Sequence, residues 1–169
     1  MIGLSMGGLL TLYALTNSPH LAAGVTLAAP IRPLSGPQSF QAWVLARVPI
    51  LGRWVQNEGK DAIMDPEARK IHDSYPRFHT DSVIELNKLA TKVRHNLDRI
   101  ETPVLIIHSV GDTFVSVKNA YEIHGSLRSK GKELFLVERS SHVLTRDYDK
   151  DRILEKCLEF VRKVLQSAE

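Results

Sequence analysis

At 169 residues the chain is long enough to bury one modest hydrophobic core, and its 43% hydrophobic and 24% charged residues argue against a disordered or fibrous protein. A formal net charge of +3, with basic residues interspersed among acids, gives no support for nucleic-acid binding. No run approaches the roughly 20 apolar residues of a membrane span, and no charged region precedes the first apolar run as it does in a signal peptide.

The chain opens on Gly3-Leu4-Ser5-Met6-Gly7, a G-x-S-x-G pattern. That spacing belongs to a sharp strand-to-helix turn that lifts a serine hydroxyl clear of the sheet edge. A serine in so cramped a backbone needs neighbours without bulk, and Gly3 and Gly7 are expected to supply them. Gly8 to Thr16 reads as the helix whose amino end points at Ser5. Its unpaired N–H groups suit a developing oxyanion, and the backbone N–H of Met6 is the expected donor.

Asn17-Ser18-Pro19 reads as a turn, and Ala23–Ala29 as a strand ended by Pro30. The alternation then breaks. Five of the eight prolines and both tryptophans fall between Ile31 and Pro76, with no strand pattern. Connections in a regular α/β unit run to about 2–6 residues, so residues 32–79 read as an insertion. Phe40, Trp43, Val44, Leu45, Val48, Ile50, Leu51, Trp54 and Val55 crowd apolar surface into sixteen residues of it. They are expected to pack on one another, with some lining an acyl pocket or facing a lipid surface.

From Asp81 onward, Val83, Leu86, Leu89, Ala90, Val93 and Leu97 mark one face of a helix. Pro103–His108 is a short apolar, β-branched run, the pattern of a buried parallel strand. It ends in Ser109-Val110-Gly111-Asp112, which places an acid on the turn leaving the strand. A helix with Ala120, Ile123 and Leu127 inward follows. Glu133–Val137 is then a second buried strand, and it runs into Glu138-Arg139-Ser140-Ser141-His142. The last helix is expected to bury Ile153, Leu154, Cys157, Leu158, Val161 and Leu165. The lone Cys157 has no partner for an intramolecular disulfide and fits a reducing compartment, so a cytoplasmic location is expected.

Serine, acid and histidine thus occur in that order, each at the mouth of a strand or turn. A serine nucleophile needs a base, and the base needs an orienting carboxylate. Ser5, Asp112 and His142 are the candidates for those roles. Glu138 lies too close to His142 in sequence to compete as the acid, while Asp147 and Asp149 suit the positive end of the last helix. His20, His72, His79, His95 and His124 have no partners at metal spacing, and His108 is expected to be packed rather than reacting.

Gly3–Gly8, Pro103–Val115 and Ser141–Leu144 resemble the α/β-hydrolase serine esterases, in particular the bacterial carboxylesterase and monoacylglycerol lipase group. The resemblance runs over essentially the whole chain, with Ser141 standing where many relatives place glycine. It implies an α/β fold: a parallel sheet flanked by helices, formed by residues 1–31 and 80–169, with 32–79 as a helical cap. It implies hydrolysis of carboxylic esters, short-chain esters or monoacylglycerols, through an acyl-enzyme on Ser5. Trp43, Leu51, Trp54, Val115 and Val143 are the expected pocket residues. No metal or organic cofactor is implied; the implied partner is a small ester, with peripheral lipid contact and no nucleic acid.

The family's sheet has strands before the serine turn, where this chain offers only Met1-Ile2, and takes a second oxyanion donor from an earlier His-Gly loop. The chain is therefore expected to be the C-terminal portion of a longer hydrolase. By itself it is expected to expose the edge of the Ala23–Ala29 strand, to associate, and to turn over simple esters poorly. The alternative reading is a non-catalytic hydrolase remnant or binding module.

Overall fold

The computed structural model describes residues 1–18, 20–32, 54–56 and 62–167. In chain order the elements begin with β1 (Ile2–Leu4), α1 (Met6–Asn17), β2 (Gly24–Leu27), β3 (Trp54–Gln56), α2 (Pro66–Lys70) and β4 (Arg77–His79). They continue with α3 (Thr80–Arg94), β5 (Val104–Ser109), α4 (Lys118–Ser126), β6 (Lys132–Val137) and α5 (Lys150–Gln166). Strands β1, β2, β5 and β6 form one parallel sheet in that order, so their carboxyl ends lie along one edge.

Every residue of β2 and β5 is buried, because helices cover both faces of the sheet. Alternation along β5 divides the core in two. Val104 and Ile106 face α1, α3 and α4, joining Leu9, Leu12, Ala90, Val93 and Ile123. Leu105 and Ile107 face the other way, with Val25, Leu27 and Val137, against Ile153 and Phe160 of α5.

Three expectations about the strands and helices are corrected. The Ala23–Ala29 strand is not left without its partner: the three residues of β1 pair with β2 in the register Ile2↔Val25, Gly3↔Thr26 and Leu4↔Leu27. Within the described residues the insertion does contain strand, because β3 and β4 form an antiparallel pair with Trp54 opposite His79. Each strand of that pair is only three residues long, too short to show a period. In α5 the expected buried face is rotated. Leu154, Leu158 and Leu165 are 59%, 47% and 60% exposed, while Ile153 and Phe160 are buried and Cys157 and Val164 are partly buried against the same cluster. The sequence offers two neighbouring apolar stripes, and the one carrying the large Phe160 ring faces the sheet because it removes more area from water.

The turn between β1 and α1 is tightly packed. Ser5 has φ 56° and ψ −117°, a left-handed conformation for a residue with a side chain. Such backbone costs about 1–3 kcal/mol and needs outside support. It is held by the Ser5 N–H donating to Leu27 O at 2.8 Å and by Leu9 N–H closing on Ser5 O at 3.1 Å. A Cβ on Gly3 would stand 2.1 Å from Gly7 O, against rigid backbone. The second crowded position is Gly8, where a Cβ would come 2.9 Å from Ala29 Cβ. Gly7, expected to be the second residue that must lack bulk, is corrected here: a Cβ on it meets nothing within 4 Å.

Two predictions concern stability. Gly3→Ala should destabilise the chain by about 3 kcal/mol or more. Gly7→Ala, at an open helical position, should be neutral or stabilising by up to about 1 kcal/mol. Urea unfolding measures both, and the reverse order would contradict this account of the turn. In the same assay Phe160→Ala should cost about 3–5 kcal/mol, whereas Leu158→Ala should stay within about 0.5 kcal/mol. Equal losses would place both stripes of α5 in the core.

Candidate active site

The sheet brings its three candidate residues together from distant parts of the chain. Ser5 stands between β1 and α1, Asp112 lies on the turn after β5, and His142 lies on the loop after β6. The His142 ring joins the other two: its Nε2 is 2.8 Å from Ser5 Oγ, and its Nδ1 is 2.8 Å from Asp112 Oδ2. The carboxylate can only accept, so Nδ1 carries the proton and Nε2 is left to accept from the serine hydroxyl. Ser5 stands where a serine would ordinarily cap the helix, yet its side chain makes no capping bond. Its hydroxyl is committed to His142, and Met6 heads α1 with an N–H that has no partner inside the helix.

Asp112 has a side chain with no exposed surface, and its carboxylate is surrounded by donors. Oδ1 accepts from the backbone N–H groups of Phe114 and Val115, both at 2.8 Å. Oδ2 accepts from His142 and lies 3.4 Å from His108 Nε2. Burial alone would push this carboxyl up. The His108 and His142 rings and the Val115 N–H outweigh it and hold the group well below the usual carboxylate range. The ionised form is the one that keeps the His142 proton on Nδ1. Glu138, the rival acid, is exposed.

Two further carboxylates are structural, in a way their sequence positions did not reveal. Asp147 is 1% exposed; its Oδ2 accepts from the N–H groups of Met64 and Ser141 at 2.8 Å each. Its Oδ1 accepts from those of Asp65 at 2.9 Å and Tyr148 at 3.0 Å. Asp149 takes the Arg139 N–H at 2.8 Å and the Ser140 hydroxyl at 3.0 Å. Ser109, the last residue of β5, donates its hydroxyl to Ser140 O. These bonds fasten the loop carrying His142 to the end of β5 and to residues 62–65. The only sequence signal for them was acids beside a helix start, which a helix terminus already explains.

A cavity of about 440 Å³ is lined by Asp112 together with Pro30, Arg32, Phe114, Val115 and Asn119. Of the expected pocket residues, Val115 lines it. Val143 is half-buried and is used differently, donating its N–H to Ala62 O at 2.9 Å. Trp54 does not line it; its ring packs edge-on against His79, centroids 5.3 Å apart, with the Arg77 guanidinium 4.9 Å above it. Trp43 and Leu51 lie outside the described residues, as does most of the apolar crowd around them. Phe114, not singled out from sequence, sets its ring 5.5 Å from that of His142 and is 39% exposed. Among the described residues no cluster of His, Cys, Asp or Glu is placed to hold a metal ion, and no helix is long and apolar enough to cross a membrane.

Known proteins resemble this chain over nearly its whole length. A thermostable monoacylglycerol lipase of Bacillus sp. (strain H-257) is 34% identical over 161 residues, covering 95% of this chain and 61% of that protein. A carboxylesterase of Bacillus subtilis (strain 168) is 26% identical, covering 96% of this chain and 63% of the other. The chain therefore spans under two thirds of the length of these curated relatives. Among solved structures, one reported for the metagenome-derived lipolytic enzymes LipS and LipT superposes with a TM-score of 0.85 at 33% identity, covering 96% of this chain and 64% of that one. A monoacylglycerol lipase of Paleococcus ferrophilus shares the fold at TM-score 0.83 and 19% identity, over 96% of this chain and 67% of the other. A family model described as serine aminopeptidase, S33 (Hydrolase_4) matches residues 1–149, and the chain belongs to that family, on an α/β-hydrolase fold.

Proposed function

We propose that the protein is a serine hydrolase that cleaves carboxylic esters, short-chain esters or monoacylglycerols, with Ser5 as nucleophile, His142 as base and Asp112 as orienting acid. The observation that carries this reading is the unbroken line from Ser5 Oγ through the His142 ring to Asp112 Oδ2, with 2.8 Å at each step. The relatives named above support esters over peptides, because those with the higher identities are called lipase and carboxylesterase although the family takes its name from an aminopeptidase.

The chemistry is two-step acyl transfer. His142 Nε2 takes the proton of Ser5 as Oγ attacks the ester carbonyl, and the Met6 N–H stabilises the oxyanion that forms. The tetrahedral adduct collapses, and His142 returns the proton to the leaving alcohol. Water, activated by the same nitrogen, then attacks the acyl-enzyme and frees the acid and Ser5. Asp112 keeps the imidazole in the required tautomer and stabilises its cation. Residues 1–31 and 80–169 form the core in this reading. Residues 32–79 are the cap insertion in this reading; Arg32 lines the cavity, and Trp43 and Leu51 lie outside the described residues.

Hydrolysis of p-nitrophenyl butyrate and of a monoacylglycerol tests it. Ser5→Ala should lower kcat by on the order of 10⁴–10⁶, and Asp112→Asn by on the order of 10⁴, as in other triads. Glu138→Gln should change little. A protein that is inactive with Ser5 intact would favour the binding-module reading. Activity surviving Asp112→Asn but lost in Glu138→Gln would move the acid to Glu138.

A further inference from the structure

His108 is a fully buried histidine at the end of a strand whose other residues, except the terminal Ser109, are apolar. Strand alternation puts it on the same face of β5 as Val104 and Ile106, within the core that packs α1 and α4. A leucine there would itself bring no polar atom into the core. The imidazole instead leaves its Nδ1 buried with no partner among the described residues. Such an orphaned acceptor is unfavourable, so the other ring nitrogen is where a compensating role must lie.

That nitrogen faces the turn bearing the acid. Nε2 lies 2.8 Å from Val115 O and 3.4 Å from Asp112 Oδ2. A carbonyl oxygen only accepts, so the ring proton sits on Nε2 and is directed at Val115 O, with Asp112 Oδ2 flanking the same polarised edge. Val115 is thereby held on both sides. Its N–H donates to Asp112 Oδ1 at 2.8 Å, and its carbonyl accepts from His108. The result is a closed circuit from the end of β5 through the imidazole to Val115, back to the Asp112 carboxylate, and from there to His142 at 2.8 Å.

We propose that His108 is a positioning residue for the acid: by tying Val115 O to the end of β5 it closes the turn that presents the Asp112 carboxylate to His142. It touches no substrate and gives up no proton during the reaction. This inference rests on the reading of Asp112 as the orienting acid, and its test separates the two.

The asparagine of His108→Asn places its amide near the position of Nδ1 and cannot reach Val115 O. Glutamine places it near Nε2 and can. His108→Asn should therefore lower kcat by about 10–100-fold, the usual scale for the partner of a site residue, with KM little changed. His108→Gln should recover most of that loss. In an Asp112→Asn background, His108→Asn should cost nothing more, because a residue that acts only through Asp112 has nothing left to position. His108→Leu, apolar among apolar neighbours, is a second variant without the donor and should match His108→Asn. Equal losses for Asn and Gln, or a His108→Asn loss that multiplies on top of Asp112→Asn, would overturn the role of His108 alone. Near-native turnover of Asp112→Asn by itself would overturn the acid assignment, and this inference with it.

Discussion

A carboxylate without exposed surface must be surrounded by donors, and the Asp112 side chain imposes that requirement on the whole active edge of the sheet. Two of its donors are the N–H groups of Phe114 and Val115, so the chain must turn tightly as it leaves β5. Another is Nδ1 of His142, so the loop after β6 must come back across β5. Asp147 and the hydroxyl of Ser109 hold that loop where the imidazole can meet the carboxylate. With the ring fixed at one end by Asp112, its free Nε2 has one direction in which to face, and Ser5 Oγ is there. The ionisation state follows from the same packing: the donors outweigh the cost of burial and keep Asp112 charged.

Ser5, the proposed nucleophile, is held by a different kind of constraint. Ser5 is in a backbone conformation that a residue with a side chain rarely adopts. It is kept there by pairing with Leu27, by the first turn of α1, and by the absence of a side chain at Gly3. In the proposed mechanism this strain takes the hydroxyl away from its ordinary capping position and leaves the first N–H groups of α1 unspent. Strain at Ser5 and burial at Asp112 are thus two costs met by the sheet core, and His142 is the group that joins them.

The residues that form the site were legible because each sits on a pattern with its own physical cause. The G-x-S-x-G spacing marks the turn, and the apolar runs at Pro103 and Glu133 mark strands that end just before Asp112 and His142. Those runs carry the pattern of buried parallel strands, and the resemblance to the α/β-hydrolases implied the sheet with its flanking helices. What stayed hidden depended on packing between distant residues. Nothing in the periodicity of α5 separates the stripe of Leu154 and Leu158 from that of Ile153 and Phe160, and the choice is made by the sheet. Strands β3 and β4 are too short to show a period, and their pairing joins residues far apart in the chain. Crowding at Gly8 comes from Ala29 across the sheet, while the motif itself names Gly7. His108 and Asp147 read as core and helix-cap residues because their partners, Val115 O and the Ser141 N–H, are backbone atoms on which sequence carries no mark.

The central claim is that an acyl group passes through Ser5. It is tested most directly by acid-quenching the protein during turnover of p-nitrophenyl butyrate and measuring its intact mass, followed by peptide mapping. The account predicts one butyryl group on the peptide containing Ser5, absent in Ser5→Ala. Ester turnover with no acyl adduct at Ser5, or an adduct mapped to another residue, would contradict it.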